Sequence, residues 1–228
     1  MFKEFLMIFS IIIVHEIGHF LAANYYKWNL DKISIYPFGG CVKFNEKINK
    51  PIKEEFIILI SGPLMQIFFF IFVYFLLNEG LVTYRNFIIF KTYHYTLLLF
   101  NLLPIYPLDG GRLLNLIMNM FFPYKKGNKL VIIISVVVLL SSLYFYSNIN
   151  YIFMGILLLS ELIIYLKRQN YLYNKMLLER YIYKENHKKF KIIKNKDSMY
   201  KDKRHIILYK NKYITEKDYL NQRFKVIK

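Results

Sequence analysis

The sequence predicts an all-α polytopic membrane protein. It would have about five transmembrane helices, a small β-hairpin after the first, and a short basic cytosolic α/β tail. Three observations predict this. The 228 residues are 56% hydrophobic, in apolar runs near the ~20 residues a helix needs to cross hydrocarbon. The net charge is nevertheless +17, and the basic residues lie between and after those runs. Polar residues that are costly in lipid recur inside the runs at helical spacing. A nucleic-acid binder would carry such charge on a soluble fold, so no nucleic-acid partner is expected. One cysteine, Cys41, excludes an intramolecular disulfide framework.

The first expected span, Phe5 to Ala23, holds His15-Glu16-Ile17-Gly18-His19, an H-E-x-x-H pattern. Residues four apart on a helix differ by ~40° around the axis, so His15 and His19 share a face. That spacing lets two imidazoles hold one Zn²⁺. Glu16 is placed to take a proton from water activated there. The run carries the motif and lacks a small-residue cleavage site, so it reads as mature sequence.

Ser34 to Phe44 alternates apolar and polar residues on both sides of Gly39-Gly40, which predicts two short strands about a tight turn. An ordinary cytosolic hairpin is the plainer reading. An edge on which a substrate strand pairs is the functional one, and it makes Gly39 and Gly40 candidate substrate-binding residues.

Glu55 to Leu77 is the second span, with Ser61-Gly62-Pro63 and Gln66 inside it. The proline predicts a kink and the small residues a close helix approach. Gln66 reads equally as interhelical glue or as part of a site. Phe87 to Leu103 is the third span, and its His94 reads as a packing residue. Two prolines and two glycines then break the helix through Asn101-Leu102-Leu103-Pro104-Ile105-Tyr106-Pro107-Leu108-Asp109-Gly110-Gly111-Arg112. Irregular backbone at membrane depth lies inside protein or lines a cavity, so Asp109 suggests a site. On the local pattern it could equally cap a helix starting at Gly110. Leu113 to Phe122 is too short to span, and Pro123 to Lys129 reads as a basic turn. Leu130 to Tyr146 and Tyr151 to Leu166 are spans four and five.

Residues 168–228 carry 18 Lys+Arg against 6 Asp+Glu, which sets a cytosolic tail apart from the 1–167 membrane domain. Within the tail, Tyr171 to Lys184 reads as helix, His205 to Tyr209 as strand, and Thr215 to Phe224 as a helix begun by a Thr215–Asp218 box. Its charge suits an anionic lipid surface or an acidic partner, and a solvated cytosolic face is the commoner reading of such charge.

The loops after spans one and three hold ten basic residues against three on the other side, Lys3, Arg85 and Lys91. By the positive-inside rule those loops and the C-terminus are cytoplasmic. Asp109 then falls at the same membrane depth as the two histidines. A catalytic zinc keeps three protein ligands and one open position, and His15, His19 and Asp109 supply three.

H-E-I-G-H in a membrane helix, the later N-x-x-P-x-x-P-L-D-G-G-R, the proline-glycine-glycine hairpin and the S-G-P span together resemble the site-2 proteases, intramembrane zinc metalloproteases. The likeness runs over about residues 10 to 115. It implies one zinc on His15, His19 and Asp109, Glu16 as catalytic base, and Asn101, Pro104 and Pro107 shaping the site or touching substrate. Likeness to the family's sporulation members implies a membrane-associated sigma-factor precursor as substrate, inhibitory membrane proteins as partners, and the membrane around the forespore as location. Members of this type usually carry a membrane helix before the H-E-x-x-H helix. Here Met1 lies only 14 residues before His15, so the chain is either naturally short or lacks its start. Many also end in a nucleotide-sensing CBS domain, of which the tail would be a reduced version. Two other classes compete: a catalytically inactive membrane scaffold docking a partner or lipid through the tail, and a proton-coupled transporter using Asp109 and Glu161. The transporter reading lacks repeat symmetry.

Overall fold

The computed structural model describes residues 2–28, 30–36, 39–44, 48–145, 149–183, 189–194, 197–209 and 212–224. The chain is mostly helical and divides into two compact units. One comprises residues 1–46, 53–103 and 108–110, and the other 47–52, 104–107 and 111–228.

In the first unit, α1 (Phe2–Tyr25) is built inside out relative to a soluble helix. Its buried residues are Ile11, His15, Gly18, His19 and Ala23, at the i, i+3, i+4 spacing of one face. Its other positions leave Phe5, Ile13, Ile17 and Leu21 exposed. Apolar side chains outward and polar ones inward is what a hydrocarbon solvent selects. The helix stops where Lys27 takes a left-handed φ of 54°, and Trp28 N–H closes on the Ala23 carbonyl at 2.9 Å. The Trp28 indole N–H then donates to Glu54 Oε2 at 2.9 Å, linking the end of α1 to the start of α2.

Between those helices, β1 (Leu30–Tyr36) pairs antiparallel with β2 (Gly39–Phe44). Gly39 and Gly40, expected at a tight turn, lie within β2, opposite Tyr36 and Ile35. Pro37 and Phe38 join the strands and lie outside the described residues. Helix α2 (Ile52–Asn78) runs through Pro63, and α3 (Tyr84–Asn101) starts at Thr83, whose hydroxyl accepts from Asn86 N–H. Ile11, Val73, Phe87 and Phe90 form the unit's buried core, with Phe69 edge-on to Phe90 at 5.4 Å.

In the second unit, α4 (Gly111 onward, the helix itself being Asp109–Phe121), α5 (Tyr124–Phe145) and α6 (Ile149–Tyr183) precede a small sheet. The basic segment expected as a turn at Pro123 to Lys129 is helical from Tyr124, because proline ahead of a first turn has no N–H to lose. The fifth span and the Tyr171 helix are one 35-residue helix, not two. Lys167-Arg168-Gln169-Asn170 is polar but contains no helix breaker, so polarity changes there without ending the helix. The boundary expected at 167 thus falls inside α6.

In the tail, β3 (Lys189–Ile193) runs parallel to β4 (Lys203–Tyr209), which pairs antiparallel with β5 (Lys212–Thr215). Helix α7 (Glu216–Phe224) follows. The Thr215 hydroxyl accepts from Asp218 N–H, one half of the expected box, while Asp218 Oδ2 accepts from that hydroxyl. Tyr173, Met176, Leu177, Met199, Ile207 and Leu220 make the core. Arg180 is buried at its edge, donating to the carbonyls of Tyr200, Lys201 and Lys203, to Asn49 Oδ1 and to Glu216 Oε1. Burial alone would push the Glu216 carboxyl up. The hydrogen bond from His205 and the Arg180 charge outweigh it and hold the group at about 2.

Among the described residues, three helices are long and apolar enough to cross a membrane: α1, α2 and residues 124–144 of α5. The 18-residue α3 carries Arg85, Lys91 and His94, which lower its apolarity.

Candidate metal centre

Asp109 lies 94 residues from His15 and 90 from His19 in the chain, yet the three meet in one place, all buried. The Asp109 Oδ2 atom lies 2.9 Å from His15 Nε2 and 3.1 Å from His19 Nε2, and the two Nε2 atoms are 3.2 Å apart. The helical spacing of the histidines produces the last distance. Asp109 thus meets the two histidines and is also the first residue of α4.

The hydrogen bonds behind the imidazoles fix their protonation. The Gln66 amide N–H donates to the His94 carbonyl at 2.9 Å, and a carbonyl can only accept. The amide must therefore present its oxygen to His15 Nδ1, at 3.0 Å, and His15 Nδ1 must donate. Likewise His19 Nδ1 must donate to the Ile58 carbonyl, at 2.7 Å. Each neutral ring then has only a lone pair left at Nε2. Two nitrogen lone pairs and a carboxylate oxygen, all acceptors, face each other within about 3 Å in a buried place. Like groups that close repel unless a positive charge sits among them, which a proton on one Nε2 or a metal ion can supply.

A metal ion fits that need. Tetrahedral ligands at ~2.0–2.1 Å from zinc lie about 3.3 Å from one another, so this triangle needs only a slight expansion to take the ion. Two nitrogens and one carboxylate oxygen are a common catalytic zinc donor set, and the Nδ1 bonds to Gln66 and Ile58 are the partners such histidines need.

Small residues make room for this. Gly18 and Gly62 lie where α1 and α2 meet. A Cβ on Gly62 would overlap the His19 ring, and one on Gly18 would overlap the Ser61 carbonyl oxygen. Gln66 is 0% exposed and was left open in the sequence between glue and site; its two hydrogen bonds make it both. His94 is a packing residue at the ring, which lies 4.7 Å from Phe70, while its backbone carbonyl holds Gln66.

The remaining expected residues are placed as follows. Glu16 is half-buried beside His15 on α1. Asn101 is the last residue of α3 and half-buried. Pro104 and Pro107 are half-buried in the segment before α4, within the second unit. Gly39 and Gly40 lie in β2.

Two donors on a helix apolar enough for a membrane and a third at the start of α4 are what a membrane-associated metal-dependent enzyme would need. The profile of Peptidase family M50 matches residues 3–95 and 77–142, and the chain belongs to that family, the site-2 proteases. More particularly, it is 31% identical over 188 residues to stage IV sporulation protein FB of Bacillus subtilis, covering 78% of this chain and 64% of that one. It is also 31% identical over 137 residues to a zinc metalloprotease of Methanocaldococcus jannaschii, covering 55% of this chain and 37% of that one. The structure of a site-2 protease from the same archaeon resembles it with a TM-score of 0.52 at 26% identity, covering 78% of this chain and 77% of that one. The chain spans less than two thirds of the length of these curated relatives.

Proposed function

We propose that the protein is a zinc endopeptidase that hydrolyses a peptide bond in or near the membrane. The observation that carries this is the triangle of buried acceptors at His15, His19 and Asp109. These three residues would hold one zinc. When bound, zinc supplies Lewis acidity, polarising a carbonyl and bringing the pKa of water towards ~7. Gln66 and Ile58 keep both Nδ1 atoms protonated, so both Nε2 lone pairs stay directed at the site. Glu16, next to His15, takes the attacking water's proton and returns it to the leaving amine nitrogen. Asn101, Pro104 and Pro107 shape the approach of the substrate chain, and β2, with Gly39 and Gly40, offers it a strand edge.

We extend the reading to a five-span protein in which α3 and α6 also cross the membrane and the loops after α1 and α3 face the cytoplasm with the tail. The lysine asymmetry supports that orientation. Likeness to the sporulation protein supports a sigma-factor precursor as substrate, inhibitory membrane proteins as partners, and the membrane around the forespore as location. The tail would be a reduced CBS-like region that also touches anionic lipid.

The test is co-expression with membrane-associated sigma-factor precursors. Cleavage by the wild type, abolished in Glu16→Gln with membrane insertion retained, is the expected result. Undiminished cleavage by Glu16→Gln would remove Glu16 from its role.

A further inference from the structure

We propose that Ser135 and Tyr165 are positioning residues for Asp109, holding from α5 and α6 the broken backbone from which that carboxylate departs. The inference rests on the zinc reading above and assigns it two further residues.

The segment Pro104–Pro107 has no helix or sheet to satisfy its polar groups, and its prolines lack N–H donors. Ser135 supplies what is missing. The Tyr106 N–H donates to Ser135 Oγ at 3.0 Å, and the Ser135 hydroxyl donates to the Pro104 carbonyl at 3.3 Å. Ser135 is fully buried, a single hydroxyl in the run Ile132-Ile133-Ile134-Ser135-Val136-Val137-Val138. Its orientation sets it apart from neighbours of its kind. Ser10, Ser61, Ser141, Ser142 and Ser160 each donate back to the carbonyl three residues earlier in their own helix. Ser135 spends its hydroxyl on the loop instead.

Tyr165 grips the same segment from the side-chain face. Its ring stacks on the Tyr106 ring, centroids 3.9 Å apart and planes 20° apart. Its phenolic oxygen accepts from Asn115 Nδ2 at 2.8 Å, which ties the stack to α4, the helix Asp109 opens. Gly111 closes the arrangement, since a Cβ there would overlap the Ile105 carbonyl carbon and the Tyr106 nitrogen. The segment is thus fixed on both backbone faces and by its one aromatic ring. Leu108 is the only residue between Pro107 and Asp109. A catalytic carboxylate must be held within about half an ångström of its productive place, and a loop without its own ladder needs outside partners to do this.

The test is zinc affinity in detergent by chelator competition, read as a cycle. Ser135→Ala should bind zinc about tenfold more weakly than the wild type, in the range for lost support of a metal ligand, and Ser135→Thr should recover most of the loss. In an Asp109→Ala background, Ser135→Ala should cause no further weakening, because the group it positions is gone. Tyr165→Leu should weaken binding in the same background-dependent way, and Tyr165→Phe, which keeps the stack, should weaken it less. Should Ser135→Ala fail to fold, the Tyr165 pair completes the same cycle. Wild-type affinity in Ser135→Ala or Tyr165→Leu, or equal weakening with and without Asp109, overturns the proposal. A wild type that binds no zinc overturns the metal reading itself, and this inference with it.

Discussion

Replacing Gln66 by leucine tests the chain of hydrogen bonds behind the metal site. Gln66 is fully buried, and its amide joins His15 Nδ1 at 3.0 Å to the His94 carbonyl at 2.9 Å. Leucine fills nearly the same volume but leaves the buried His15 Nδ1–H without its partner, at about 1–3 kcal/mol, and the His94 carbonyl with only its bond within α3. The protein escapes part of that cost by turning the His15 ring or changing its tautomer. Either response removes the Nε2 lone pair from the site. Losing such a support typically costs about 10–100-fold in metal affinity. Gln66→Glu separates the two bonds. A carboxylate still accepts from His15 but, ionised, cannot donate to His94, so zinc binding should fall by less than in the leucine variant. Chelator competition on purified protein reads both, with circular dichroism to check helix content. Wild-type affinity in Gln66→Leu, or an equal loss in both variants, would refute the argument that the amide sets the tautomer.

Other substitutions probe separate parts of the account. Gly62→Ala places a methyl group into the His19 ring, and metal analysis should find substoichiometric zinc while the helices remain. Arg180→Leu leaves five acceptors behind, three of them buried, and should destabilise the tail by about 3–5 kcal/mol, read as faster proteolysis within the tail. Glu216, held at about 2, contributes stability that is fully present above ~4.5 and is lost as pH falls through 2. That contribution amounts to about 3 kcal/mol, so hydrogen-exchange protection in β4 and α7, taken relative to the intrinsic rate at each pH, should fall between pH 5 and 2, and Glu216→Gln should flatten the fall.

The three residues of the candidate metal centre were legible in the sequence because each is marked by its own local pattern. His15 and His19 are one turn apart, and Asp109 sits in a stretch whose prolines and glycines announce broken helix. Its supports were not legible. The Gln66 and His15 positions are 51 residues apart, and nothing in either helix states that the amide faces the ring. Ser135 did leave a signal, an isolated hydroxyl in an apolar run, but only coordinates reveal that it turns outward. Strand β3 escaped notice because Lys189-Phe190-Lys191-Ile192-Ile193 is short and lysine-rich, and its pairing with β4 is parallel and non-local. The unbroken α6 shows the converse limit. Polarity in a sequence marks where a chain leaves hydrocarbon, whereas a helix ends only where a breaker or cap ends it.

X-ray absorption at the zinc edge on the purified full chain reads the coordination sphere itself. The account predicts one zinc per chain with two imidazole nitrogens and one carboxylate oxygen at ~2.0–2.2 Å, and loss of the oxygen ligand in Asp109→Ala. A chain that retains no zinc, or a spectrum without imidazole scattering, would contradict it.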